Sequence, residues 1–450
     1  MNAKEYWNTP IETMPRKDLE ELQFKKIKSQ IQYYYKNSPY TRKRFEEAGL
    51  APEDIKTWDD FRKIPVFRKQ DIRDERDRTG DPFGGLLNAS QRELILIWSS
   101  TGTTGIPTFS CYTDHDFMDQ VDNLTRTCWM QGGRPGMKVM VPGIGFHWYC
   151  AAVQSAYLRL GCITLPEMIH PALSSRKIPL YKRIKPDILG TEGYDVLAMI
   201  SEEARKQGYE PRDVFSSIKI AISVGEPLTP VVARKIEEEW GNVRVFSRSQ
   251  VGESMSMVAD CPEMQRQMHE TGKVFGHIWE DLVCGEFIDP ETNEIVSEGE
   301  RGEYTITNLN SRAMAFLRFA SEDLVEHTRE KCSCGRTHTR VFVLARTGWR
   351  MRVCGKLLVP LDVIRVFEEF PETRKAALTL LRYAEDMSTL KIRAAYDENI
   401  TKDPEELKEK ITKRINEKLG IDSEIEWVAY DELPVIYHKI SRVLDLREEE

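Results

Sequence analysis

The sequence predicts an α/β protein with a separate, smaller α+β unit at its C-terminal end. Short apolar runs, Met137 to Pro142 and Ile218 to Val224, alternate with helical patterns, which is the order of an α/β core. Over residues 284–308 the pattern changes to hairpins, Gly285 to Asp289 and Glu303 to Thr307, around the turn Asp289-Pro-Glu-Thr-Asn293. From about residue 349 onward a distinct unit follows, and its helix Glu405 to Leu419 sets Leu407, Ile411, Ile415 and Leu419 on one face. A chain of 450 residues exceeds one ordinary core, so two or three domains are expected.

The elements follow in order. Residues 18–36 read as a helix, with Phe24, Ile27, Ile31 and Tyr34 in one stripe. A short helix fits Thr57 to Lys63, with Thr57 as N-cap and Pro65 just past its end. Glu93 to Trp98 reads as a strand running into a Ser/Thr/Gly loop. Ala151 to Leu160 reads as a helix, and Leu180 to Leu189 as a further strand entry. Thr229-Pro230 starts a helix to Trp240, with Pro in the first turn, where a missing N–H costs nothing.

Composition excludes several classes. The net charge of −8 argues against a general nucleic-acid binder. Met1 to Lys17 is charged and lacks the apolar core of a secretory signal. The longest apolar stretch, Ala151 to Ile169, is interrupted by Gln154, Arg159 and Glu167, so no membrane span is expected. A cytoplasmic protein is inferred. Cys111, Cys128, Cys150, Cys162, Cys284 and Cys354 share no spacing and read as free thiols.

The segment Ser99 to Thr108, S-S-T-G-T-T-G-I-P-T, follows a strand and concentrates hydroxyls and glycines. Glycines let backbone N–H groups converge on a phosphate, and hydroxyls add donors. No Gly-Lys-Ser/Thr closes it, so it is not the loop of kinases and GTPases. The same composition fits a surface turn.

This segment resembles the nucleotide loop of the adenylate-forming acyl-CoA synthetase superfamily, and the wider chain resembles its phenylacetate–CoA ligase branch. The motifs are N-S-P-Y-T-R-K-R-F-E-E-A-G-L, D-D-F-R-K-I-P-V-F-R-K-Q-D-I-R, V-G-E-P, F-L-R-F-A-S-E-D-L, C-S-C-G-R-T-H and L-P-V-I-Y-H-K-I-S-R-V-L-D, in shared order along the chain. The resemblance implies a large N-terminal α/β adenylation domain, 1–347, and a small mobile C-terminal α+β domain, 348–450. It implies an ATP-dependent carboxylate–CoA ligase acting on an aromatic or other small organic acid, with ATP, Mg²⁺ and coenzyme A. Two alternatives stay open: transfer of the acyl group to a carrier protein or other acceptor, and a catalytically impaired binder of nucleotide or acid. Dimers are common in the branch.

Residue by residue, the resemblance gives Ser100, Thr101, Gly102, Thr103, Thr104 and Gly105 to the leaving phosphates, with Ile106 where the family often has Lys. Glu253 matches the Mg²⁺ glutamate of Tyr-Gly-x-Ser/Thr-Glu, here Ser249-Gln250-Val251-Gly252-Glu253. Gly225, Glu226 and Pro227 match the adenine loop. Asp323 matches the ribose carboxylate, which is acceptor-only, with Arg318 five residues earlier. Arg346 matches a second ribose contact before the hinge, which is Gly348-Trp349 here instead of the usual Asp. Lys439 matches the late catalytic lysine, preceded by His438 in place of Gly.

Phe146, His147 and Trp148 align with the acyl pocket, although an aromatic core cluster explains them as well. Cys332 and Cys334 form a C-x-C pair, which alone cannot complete a tetrahedral zinc site. The branch pattern adds Cys261 and His277 for a structural Zn²⁺, with His269 competing for the fourth position.

Overall fold

The computed structural model describes residues 5–99, 108–142, 148–167, 174–224, 228–254, 256–436 and 439–447. The chain divides into two compact units: Met1–Ser321 with Val325–Val343, and Glu322–Leu324 with Leu344–Glu450. The architecture is α/β, with a large sheet and a smaller C-terminal domain.

Among the described residues the large sheet has eleven strands, in spatial order Val283–Ile288, Arg301–Asn308, Phe319–Thr328, Arg340–Arg346, Gly276–His277, Ser256–Ala259, Arg244–Val251, Ile220–Val224, Ile188–Glu192, Lys138–Pro142 and Ile163–Glu167. Its last five strands pair in parallel. From Arg244–Val251 to Ser256–Ala259 the pairing turns antiparallel. The parallel strands read as apolar runs because helices cover such strands on both faces. Ala221, Val245 and Phe246, for example, are buried.

Local signals set most helices. Arg16–Asn37 buries Ile27, Ile31 and Tyr34, the stripe seen in the sequence. Trp58–Arg62 begins at Thr57, whose side chain accepts from Asp60 N while Asp60 Oδ2 accepts from Thr57 N at 3.0 Å, a reciprocal cap worth about 1 kcal/mol. Thr229 caps Pro230–Trp240, and Trp240 stacks on Phe215 with ring centroids 4.3 Å apart. One reading is corrected. Leu180 to Ile184 closes the helix Ser174–Ile184, and the strand starts only at Ile188. Ile178 and Tyr181 are buried, Tyr181 against Phe215. A short apolar run does not by itself tell helix from strand, and packing against Phe215 decided it.

In the C-terminal unit a four-stranded sheet runs Ser423–Trp427, Leu390–Tyr396, Thr373–Arg382, Val443–Asp445. The helices Pro360–Phe367 and Pro404–Leu419 share its core, with Val363, Phe367, Leu380, Ile392, Ile411 and Ile415 buried together. None of the nine cysteines forms a disulfide. Cys111, Cys128, Cys162 and Cys284 are buried, Cys150 is half-buried and Cys354 exposed. Among the described residues no helix is long and apolar enough to cross a membrane.

Candidate functional site

In an open parallel sheet, ligands bind beyond the carboxyl ends of the strands. Three such ends lead into segments singled out from the sequence. Lys138–Pro142 leads into 143–147, Ile220–Val224 into 225–227, and Arg244–Val251 into Gly252 and Glu253. Phe146 and His147, like Gly225, Glu226 and Pro227, lie outside the described residues. Trp148 opens the helix Trp148–Arg159.

The hydroxyl-rich loop residues Ser100, Thr101, Gly102, Thr103, Thr104, Gly105 and Ile106 also lie outside the described residues. The strands that flank them are antiparallel, Leu94–Ser99 and Phe109–Thr113, with Ser99 opposite Phe109. Both strands reach the turn that carries Glu253. Tyr112 donates its hydroxyl to Gly252 O at 3.1 Å. A Cβ on Gly252 would lie 2.7 Å from the Trp98 indole. Gly252 stands where the family pattern has Ser or Thr, and Trp98 is the reason no side chain fits there.

Glu253 is buried, and its Oε1 lies 3.0 Å from Lys69 Nζ. Sequence reasoning did not single out Lys69, although it sits in the quoted F-R-K-Q-D-I-R motif. One local signal was available. Lys69 is the first residue of the helix Lys69–Thr79, where the helix dipole disfavours a cation. A residue that breaks a local rule marks a site with another demand.

Asp323 and Arg346 pair with each other at 3.2 Å. Arg318 is buried instead. It forks onto Glu286 at 2.8 and 3.2 Å and donates to backbone carbonyls. Gly348 lies in a short 3-10 turn, Thr347–Trp349, and its carbonyl accepts from Arg382 at 2.9 Å. A Cβ at Gly348 would meet open space. Lys439 lies in a two-residue strand, Ile436 opposite Lys439. The chain just after it is anchored: Thr379 donates to Ser441 O at 2.7 Å, and Leu380 N to Arg442 O at 3.0 Å.

The cysteine–histidine set does converge. The ligand atoms of Cys261, His277, Cys332 and Cys334 all lie within 4.8 Å of one another. Cys261 and Cys332 sulfurs are 3.8 Å apart, and Cys334 Sγ is 3.3 Å from His277 Nε2. Tetrahedral Zn–S bonds of about 2.3 Å put two sulfurs roughly 3.8 Å apart, so the spacing fits the ion. His277 Nδ1 faces His338 O at 3.3 Å, which leaves Nε2 toward the sulfurs, as metal-bound histidines are commonly oriented. Hydrogen bonds among the three sulfurs push the Cys334 thiol below its ordinary range and the Cys261 thiol above it. His269 faces Glu237 at 3.5 Å and is not part of this set. The chain's first residues strap the loop: Tyr6 donates to Cys334 O at 3.0 Å, and Arg336 pairs with Glu12 at 2.7 Å.

Comparison with known proteins gives concordant likenesses. Residues 355–447 match the model of the AMP-binding enzyme C-terminal domain. The chain is 30% identical over 321 residues to a phenylacetate-coenzyme A ligase of Pseudomonas putida, covering 70% of this chain and 68% of that one. It is 29% identical over 467 residues to the phenylacetate-coenzyme A ligase of Thermus thermophilus, covering 97% and 98%. In fold it is similar to a 2-hydroxyisobutyryl-CoA ligase solved in the postadenylation state with R3-HIB-AMP, with a TM-score of 0.86, 22% identity and 99% and 93% of the two chains covered.

Proposed function

The chain belongs to the phenylacetate–CoA ligase family of adenylate-forming enzymes, and on that premise we propose how its own residues carry the reaction. It is an AMP-forming acid–CoA ligase. The substrate in this reading is an aromatic or other small organic acid. Its carboxylate attacks the α-phosphate of ATP and pyrophosphate leaves. The thiol of coenzyme A then attacks the acyl carbon, AMP leaves, and the thioester forms.

The observation that supports this reading best is the cluster at Glu253. The strands flanking the hydroxyl-rich loop both touch Gly252, and Glu253 beside it pairs with Lys69. Catalysis of phosphoryl-group attack is mainly positioning and charge neutralisation. Glu253 is an oxygen ligand suited to Mg²⁺, and that ion, when bound, neutralises phosphate charge. Lys69 adds a fixed cation next to Glu253, in a chain whose loop carries Ile106 where the family often has Lys. Backbone N–H groups and hydroxyls of Ser100 to Gly105 hold the leaving phosphates. Gly225, Glu226 and Pro227 line the adenine. Asp323 and Arg346 hold the ribose, Asp323 accepting from its hydroxyls. Lys439 bridges the substrate carboxylate and the α-phosphate as charge develops. Phe146, His147 and Trp148 line the acyl pocket. Cys261, His277, Cys332 and Cys334 hold a structural zinc, since four protein ligands leave no open position for substrate.

Acid-dependent exchange of pyrophosphate into ATP, across aryl, arylacetic and short hydroxy acids, tests this reading. Exchange followed by CoA-dependent thioester formation is expected with at least one acid. Exchange without thioester points to a carrier protein or another acceptor. Absence of exchange with every acid points to a binder that has lost catalysis.

A further inference from the structure

The residues that precede Lys69 are held more heavily than a surface connection needs. Arg44 is 4% exposed, yet among the described residues no carboxylate pairs with it. Its guanidinium donates to Leu317 O at 3.0 Å and to Pro65 O, and lies 4.5 Å from the centre of the Phe67 ring. From the other side, Arg318 donates to Ile64 O at 2.6 Å and to Arg62 O. Phe67 N donates to Arg318 O at 3.2 Å, and Ala320 N to Phe67 O at 2.9 Å. Arg68 then reaches Glu303 and Asn293, each at 2.8 Å. Nearly every turn of backbone from Arg62 to Arg68 is thus tied down directly before Lys69.

A buried arginine bonded only to carbonyls is a poor way to gain stability. Burial pushes its pKa down to about 10, and well-packed apolar side chains often replace buried charges without loss. What the guanidinium supplies is geometry: a rigid fork that fixes two carbonyls from distant parts of the chain. Lysine, by contrast, has a flexible stem that localises its ammonium only if its backbone is fixed.

We propose that Arg44 is a positioning residue for adenylation: it locks Pro65 to Phe67 against Leu317 so that the ammonium of Lys69 is held at Glu253. This rests on the reading in which Glu253 and Lys69 face the phosphates of ATP.

A double-mutant cycle tests it. Pyrophosphate exchange is measured for wild type, R44K, K69M and the double variant, with melting temperature alongside. R44K keeps the charge but loses the fork. It is expected to lower kcat/KM for MgATP about tenfold while the KM for the acid stays within twofold. K69M alone is expected to lose about a hundredfold. In the K69M background, R44K is expected to cost less than twofold. Equal losses from R44K in both backgrounds, or a parallel rise in the KM of acid and MgATP, would make Arg44 merely structural. Wild-type activity in K69M would also overturn the proposal. Should R44K fail to fold, R44M replaces it in the cycle, because it keeps the stem volume. Lack of exchange by the wild type overturns the ligase reading itself, and this proposal with it.

Discussion

Lys69 Nζ lies 3.0 Å from Glu253 Oε1, and both side chains are largely withdrawn from solvent. Removal of one partner from such a pair leaves the other charge poorly solvated. E253Q is expected to lower kcat/KM for MgATP by about a hundredfold or more and to raise the Mg²⁺ concentration needed for half-maximal exchange, as loss of a metal ligand does. A Mg²⁺ titration of exchange checks this, and an unchanged midpoint would remove Glu253 from the metal.

Gly252 has no room for a side chain because the Trp98 indole occupies that space. Restoring the family's serine with G252S is expected to push Trp98 aside and disturb both strands that flank the nucleotide loop. We expect a loss of about 1–3 kcal/mol in stability, the usual cost of overpacking, together with weaker MgATP binding. Adding W98A to G252S should recover part of the binding. Urea unfolding and nucleotide titration read the two effects separately.

Replacing Lys439 by Ala is expected to abolish adenylation while ATP binding stays largely intact, because a cation that acts as charge develops stabilises the transition state more than the ground state. Exchange kinetics and equilibrium ATP binding distinguish the outcomes. Exchange at the wild-type rate would place the late charge elsewhere.

For the cysteine–histidine set, metal analysis of purified protein should find close to one zinc per chain. H277A and C334S should lose that stoichiometry and melt at lower temperature, since structural zinc contributes folding free energy. H269A should do neither, because His269 faces Glu237.

His327 is buried and stacked on Phe287 with ring centroids 3.9 Å apart. Burial pushes its pKa down to about 4, with Arg329 acting in the same direction. The unfolded chain takes up this proton near pH 6.5 and the folded one only near 4. Stability is therefore complete above about pH 6.5 and declines as pH falls toward 4, by up to ~3 kcal/mol from this group alone. H327F should flatten that part of the stability profile, as read by denaturant unfolding from pH 4 to 7.

Much of the fold was legible in the sequence because its signals are local. The stripe Phe24, Ile27, Ile31 and Tyr34 placed the first long helix, Thr57 marked a cap, and Thr229-Pro230 marked a helix start. The stretch Leu180 to Ile184 was misread because a short apolar run serves either helix or strand until a neighbour selects one.

At the candidate site, residue types were legible and partners were not. The resemblance in sequence picked out Glu253, Asp323 and the cysteines as candidates for cation, ribose and zinc contacts, and their side chains carry donors of that chemistry. Only the tertiary structure decided that Glu253 meets Lys69, that Asp323 meets Arg346, that His277 rather than His269 joins the cysteines, and that Trp98 requires Gly252. Those choices depend on strand order and on helices packed across the sheet, which bring together residues far apart in the chain. Local periodicity holds no record of such distances.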